Sequence, residues 1–254
     1  MTRRGSAETK SLRVHGLVIT AVLTAVAAFS QFASSGLLST VGGMTGTTGD
    51  QAHYLAAFFT ILSLGLVFAM PFLSTWSYVD DHKYRPSGFF SIRQMFTGAP
   101  EGGLPYLLAL LGTIFGVGLG VWKYYGGVIE PNVVVYVTWL VGCWVVLWSV
   151  GWMVSSSVRS GAGTARKMTI AFIAIVVLLP WPILGMFSTM AGSDWEEVFK
   201  IYPFAGFLYD SLAIEAVIFM VFELWLAAIA LTIWAESRRK NVVSYYTRAI
   251  HAGN

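Results

Sequence analysis

Charge is scarce in this chain: of 254 residues only 11% are Asp, Glu, Lys or Arg, against about a quarter in a soluble domain. That shortage excludes a fold with polar faces throughout. Cysteine is scarcer still, and the single Cys143 permits neither an intrachain disulfide nor a paired-cysteine metal site. The four histidines (His15, His53, His82 and His251) lie at the ends of apolar runs or in polar segments, so none is placed as an axial haem ligand at mid-membrane. A metal at Asp80-Asp81-His82 is disfavoured, because adjacent polar residues in a loop are ordinarily just solvated. Phosphate-binding glycine loops, a GxSxG elbow and a mid-span lysine are also missing, which leaves no recognisable catalytic set.

What the chain has instead is apolar sequence, 56% of the total, gathered into six runs at about 14–34, 54–78, 104–125, 132–156, 168–190 and 212–235. Twenty helical residues rise about 30 Å, the thickness of a hydrocarbon core. Helix is required because an open sheet edge in lipid leaves backbone groups unpaired, and the alternation of barrel strands is absent. The expected fold class is therefore all-α: a polytopic membrane protein of about six transmembrane helices forming one domain over 1–254.

Basic residues set the orientation. Arg3, Arg4, Lys10 and Arg13 precede the first run; Lys83, Arg85 and Arg93 follow the second; Arg159, Arg166 and Lys167 follow the fourth; Arg238, Arg239, Lys240 and Arg248 follow the sixth. Of the 16 basic residues, only Lys123 and Lys200 fall on the other side. This bias predicts both termini in the cytoplasm and a bacterial or archaeal inner membrane, and it turns the net charge of +3 towards a membrane surface and away from nucleic acid. An amphipathic helix lying on the surface is expected over 87–96, a flexible loop over 36–51, and an aromatic-rich interfacial segment over 191–211.

Five features stand out within the runs. Glu223 lies near the middle of the sixth, where a carboxylate must be neutralised, paired or turned to a polar cavity, since charge at such depth costs about 2.5–3.5 kcal/mol. Glu215 and Asp210 lie nearer the outer surface, where solvation is the simpler reading, although Glu215 remains a candidate beside Glu223. Pro180 and Pro182 interrupt the fifth run and predict a kink, either satisfied by packing or lining a site near the buried acid. Pro71 is a weaker signal of the same kind. Gly112, Gly116 and Gly120 form a small-residue stripe suited to close helix packing, within the chain or between chains. Trp144, Trp148 and Trp152 recur every four residues and read as a lipid- or partner-facing aromatic stripe.

The layout is similar to that of the permease subunits of ATP-driven exporters and of the C subunit of copper membrane monooxygenases. No motif accompanies the first likeness, and the second lacks an aspartate–histidine ligand pair near Glu130-Pro131-Asn132. The leading expectation is a non-catalytic, cofactor-poor subunit of a larger membrane complex of the energy-transducing or redox kind. Its expected partners are the lipid bilayer and other membrane subunits, as a homo- or hetero-oligomer, with bound lipid but no other cofactor. The alternative is a six-helix permease with a proton- or solute-linked pathway at Glu223 and the Pro180 and Pro182 break. A membrane enzyme acting on lipid or hydrocarbon ranks last.

Overall fold

The computed structural model describes residues 2–33, 51–76, 88–97, 99–125, 129–158, 161–191 and 214–252, and among them every regular element is a helix. In chain order these are α1 (Thr2–Ala33), α2 (Gln51–Ser63), α3 (Leu66–Ser74), α4 (Gly103–Tyr124), α5 (Pro131–Ser157), α6 (Ala162–Leu178), α7 (Pro180–Ala191) and α8 (Ile214–Ala252). Five stretches among the described residues are long and apolar enough to cross a membrane: Leu12–Phe32, Pro100–Tyr124, Pro131–Ser157, Gly163–Met186 and Val217–Asn241; α2 and α3, bent by 57° at their junction, bring the number to six if the pair is one span. The expected six runs are therefore present as helix. The flexible loop expected over 36–51 and the interfacial segment expected over 191–211 lie almost wholly outside the described residues.

α5 is the hub. It packs against α2, α3, α4, α6 and, along its greatest length, α8, while α1 rests mainly on α4. Its sequence is apolar on every side, the pattern of a helix enclosed by others, and its span is 72% buried against 11% for α1 and 12% for the fifth. Lipid tails are as apolar as leucine, so close dispersion contact, not escape from water, holds such helices together.

The glycines that permit this closeness are not those of the stripe. Gly112, Gly116 and Gly120 are exposed, and a Cβ at any of them would meet nothing. Among the described residues nothing lies within 4 Å of such a Cβ, so the close approaches shown are at other glycines. The tight approaches occur at Gly103, where a Cβ would run into the Leu73 carbonyl, at Gly151 against Ser74 and Thr169, and at Gly142 against Leu224 and Trp225.

The expected interruption of the fifth run falls at Leu179, between α6 and α7, but the sharper bend is elsewhere. Pro180 and Pro182 occupy the first turn of α7, where a missing N–H has no intrahelical role, and the Leu179 amide still donates to the Ile175 carbonyl at 3.2 Å. The fifth run accordingly continues as one span. The sharp bend is at Leu64-Gly65 in the second. There the Thr60 and Ser63 hydroxyls bond back to the Ala56 and Thr60 carbonyls at 2.8 and 3.0 Å, a habit that bends helices. Three-residue bonds from Val67 to Leu64 and from Phe68 to Gly65 then tighten the entry to α3.

The surface helix expected over 87–96 does not form. Its described part, from Gly88 onward, is irregular except for a single 3-10 turn, Ile92–Gln94. The physical reason is visible in its carbonyls: those of Gln94 and Met95 accept from the Arg13 guanidinium at 3.5 and 2.8 Å, so this segment is fastened to α1.

Candidate functional site at the basic end of the bundle

The start of α1, α4 and α6 and the end of α3, α5 and α8 meet at one end, the end rich in Lys and Arg. Polar side chains that the bundle buries collect there. The bent second span explains part of this. α3 ends inside the protein, and the last carbonyls of any helix lack partners along their own chain. The Met70 carbonyl takes the Ser74 hydroxyl at 2.7 Å, the Pro71 carbonyl takes Thr75, and the Leu73 carbonyl takes the indole N–H of Trp148 at 3.1 Å. One residue beyond, the Trp76 amide donates to Ser155 Oγ at 3.0 Å.

Trp148 leads onward. Its ring stacks on Trp152 with centroids 5.3 Å apart and planes 17° from parallel, and Trp76 leans on Trp152 at 5.9 Å. Both Trp148 and Trp152 are fully enclosed, at 0% exposure. The tryptophan stripe therefore faces the interior and not lipid, contrary to the aromatic-belt reading. The Trp152 indole donates to Glu236 Oε1 at 3.2 Å, and Glu236 is gripped by Arg239, whose Nε and Nη2 approach its carboxylate at 2.7 to 3.1 Å. Ser149 and Thr232 add a hydroxyl pair at 3.1 Å between α5 and α8.

Three elements make this ion pair possible. α8 places Glu236 and Arg239 three residues apart on one face. The Glu236 carboxylate then has a guanidinium on one side and an indole donor from α5 on the other, both charge-assisted bonds in a water-poor setting. Arg239 itself is buried to 6% exposure, which only a bonded arginine tolerates at low cost. On the far side of the bundle Arg13 plays the corresponding part: it lies 5.4 Å above the Tyr106 ring, and Tyr106 returns its hydroxyl to the Arg13 carbonyl at 2.7 Å.

The residues singled out from sequence sit apart from this layer. Glu223 is half-buried on α8, nine residues on from the start of that helix at Ile214. The seam of α8 against α5 runs through Val217, Met220, Leu224, Ala228 and Ala235, and Glu223 is about a third of a turn away from it. It makes no hydrogen bond or ion pair among the described residues. Glu215 lies in the first turn of α8, with its side chain outside the described ones. Pro180 is partly buried and Pro182 exposed, and α8 has no extensive packing against α6 or α7. Glu223 and the proline break are thus not brought together.

The missed residues had signals. Glu236 lies one position beyond the expected end of the sixth run, and Arg239 reads as one more cytoplasmic charge. Their three-residue spacing, opposite signs and place at the end of a span are the pattern of a pair built to be buried. For metal binding, no three His, Cys, Asp or Glu side chains are grouped as ligands among the described residues.

No family model matches the chain, and neither a curated protein nor a solved structure does. Fold and site define a class: an all-helical integral membrane protein of five or six spans.

Proposed function

We propose that this chain is a non-catalytic, cofactor-poor subunit of a larger membrane complex, held in its inner membrane by five or six spans and covered in part by other subunits. The observation that supports this reading is Glu223. A carboxylate inside a span needs a donor, and none of the described side chains of this chain bonds to it. Basic residues stand only near the span ends, so a second copy offers no charge of opposite sign at that depth. A neighbouring chain carrying a donor or cation in its outer half meets the need, as interhelical polar contacts do in membranes. The open glycine stripe on α4 offers such a neighbour a close approach. The test is co-purification of the full chain from its native membrane in mild detergent. Glu223→Gln, which still hydrogen-bonds, should retain the other chains, and Glu223→Leu should lose them. Retention of the same partners by both variants would remove Glu223 from this role.

The second reading, a permease, draws on the 57° break of the second span, because interrupted helices line many transport sites. Under that reading the chain alone in vesicles carries a solute, and Glu223→Gln changes the flux or its pH dependence. Partner loss without any flux by the isolated chain separates the two.

A further inference from the structure

Three arginines enter the bundle at its basic end, and their situations differ. Arg13 is bonded to backbone carbonyls and Arg239 to Glu236. Arg166, in the second turn of α6, has neither. Its guanidinium lies 4.7 Å above the Phe72 ring, its Nε is buried without a hydrogen-bond partner, and no acid pairs with it among the described residues. Phe72 is 62% exposed, so this arginine stands on a ring that faces lipid.

The surroundings are deficient in acceptors. α6 begins at Gly161 with no side-chain cap and no acid in its first turn, so its positive end is uncompensated. Gly163, Arg166 and Thr169 follow at helical spacing, and helical side chains lean back towards the N-terminus, which directs Arg166 towards the first turn, where the Thr164 amide is already bonded to the Gly161 carbonyl at 3.0 Å. Thr169 is 0% exposed and its hydroxyl has no partner; Trp76, at the end of α3 beside Phe72, also has a buried indole N–H without one. Lys167 adds an exposed cation on the next position. Arg166 and Lys167 thus place two cations near the positive start of α6, which favours an anion there.

We propose that the start of α6, with Arg166 as its principal residue, binds a phosphate group, supplied by the headgroup of an acidic phospholipid whose tails run along Phe72. Phosphate offers acceptors to the fork of a guanidinium and to helix-terminal amides together, and Arg is the side chain best matched to it. The depth suits a headgroup: the site is at the end of a span on the basic side, where acidic lipids concentrate basic residues.

The experiment uses the full chain in a neutral detergent, titrated with phosphatidylglycerol, phosphatidylcholine or inorganic phosphate and followed by intact-mass spectrometry under gentle conditions. Phosphatidylglycerol should remain bound in preference to phosphatidylcholine. Arg166→Gln should weaken it about tenfold, the loss of one charge-assisted contact, whereas Arg93→Gln, an exposed arginine at the same end, should not. Phe72→Leu, which keeps the charge but removes the stacking ring, should weaken it by a smaller factor and serves if Arg166→Gln folds poorly. Arg166-dependent retention of inorganic phosphate with no lipid preference would keep the phosphate site and assign it to a soluble anion. Equal retention of phosphatidylglycerol by the wild type and both variants, or retention of no phosphate by any of them, overturns the proposal.

Discussion

Glu236 and Arg239 illustrate how a membrane bundle tolerates charge. Burying either alone would be costly, but the carboxylate answers the guanidinium three residues on and the Trp152 indole across the α5–α8 seam. Removing one member should therefore hurt more than its net contribution. Glu236→Ala, which takes the carboxylate away from a buried guanidinium, is expected to lower stability by about 3 kcal/mol. Trp152→Phe keeps the ring and loses only the donor, so it should cost about 1 kcal/mol. A double-mutant cycle between the two, read from reversible unfolding in mixed micelles, should give a coupling of about 0.6 to 1.7 kcal/mol. A coupling of zero would mean that the indole and carboxylate do not share a bond. Nothing in the sequence alone marks Trp152 as a donor to a particular acid; the residue-scale network is a product of which helices meet.

At the scale of elements, the positions of the spans were legible and their inward faces were not. Long apolar runs separated by charge suffice to locate helices, because lipid forces every backbone group to be satisfied locally. Direction is harder, since α5 is apolar all round and its tryptophans carry no sign of which side is enclosed. Small residues mislead for the same reason: a glycine matters only where another backbone comes near. Gly103→Ala and Gly151→Ala should each destabilise the fold by about 1 to 3 kcal/mol, as overpacking does, because a Leu73 carbonyl and a Ser74 side chain occupy the added volume. Gly112→Ala and Gly116→Ala, with open space around them, should leave the stability of the isolated chain unchanged within about 0.5 kcal/mol. Thermal unfolding of the four variants in detergent checks this order, and a reversed ranking would place the stripe inside the bundle. The prolines mark the boundary between α6 and α7, whereas the sharper bend, beside the Thr60 and Ser63 hydroxyls near Leu64-Gly65, is not at a proline.

For the whole molecule, the two ends of the bundle differ in character. The basic end is locked by Arg13, the Trp148–Trp152 stack and the Glu236–Arg239 pair, while the opposite end is held by aromatic edges such as Phe32 against Trp122 at 5.0 Å and Phe59 against Phe115 at 5.1 Å. The segregation of basic residues foretold the first end as a membrane surface but not as a buried polar layer. Between them one face of α8 carries Glu223, half-buried and without a hydrogen bond or ion pair among the described residues. That face is where the account places another subunit. The most direct measurement is the mass of the intact assembly released from native membranes in mild detergent. The account predicts this chain together with different membrane chains in a fixed ratio; a monodisperse species containing this chain alone, active without companions, would contradict it.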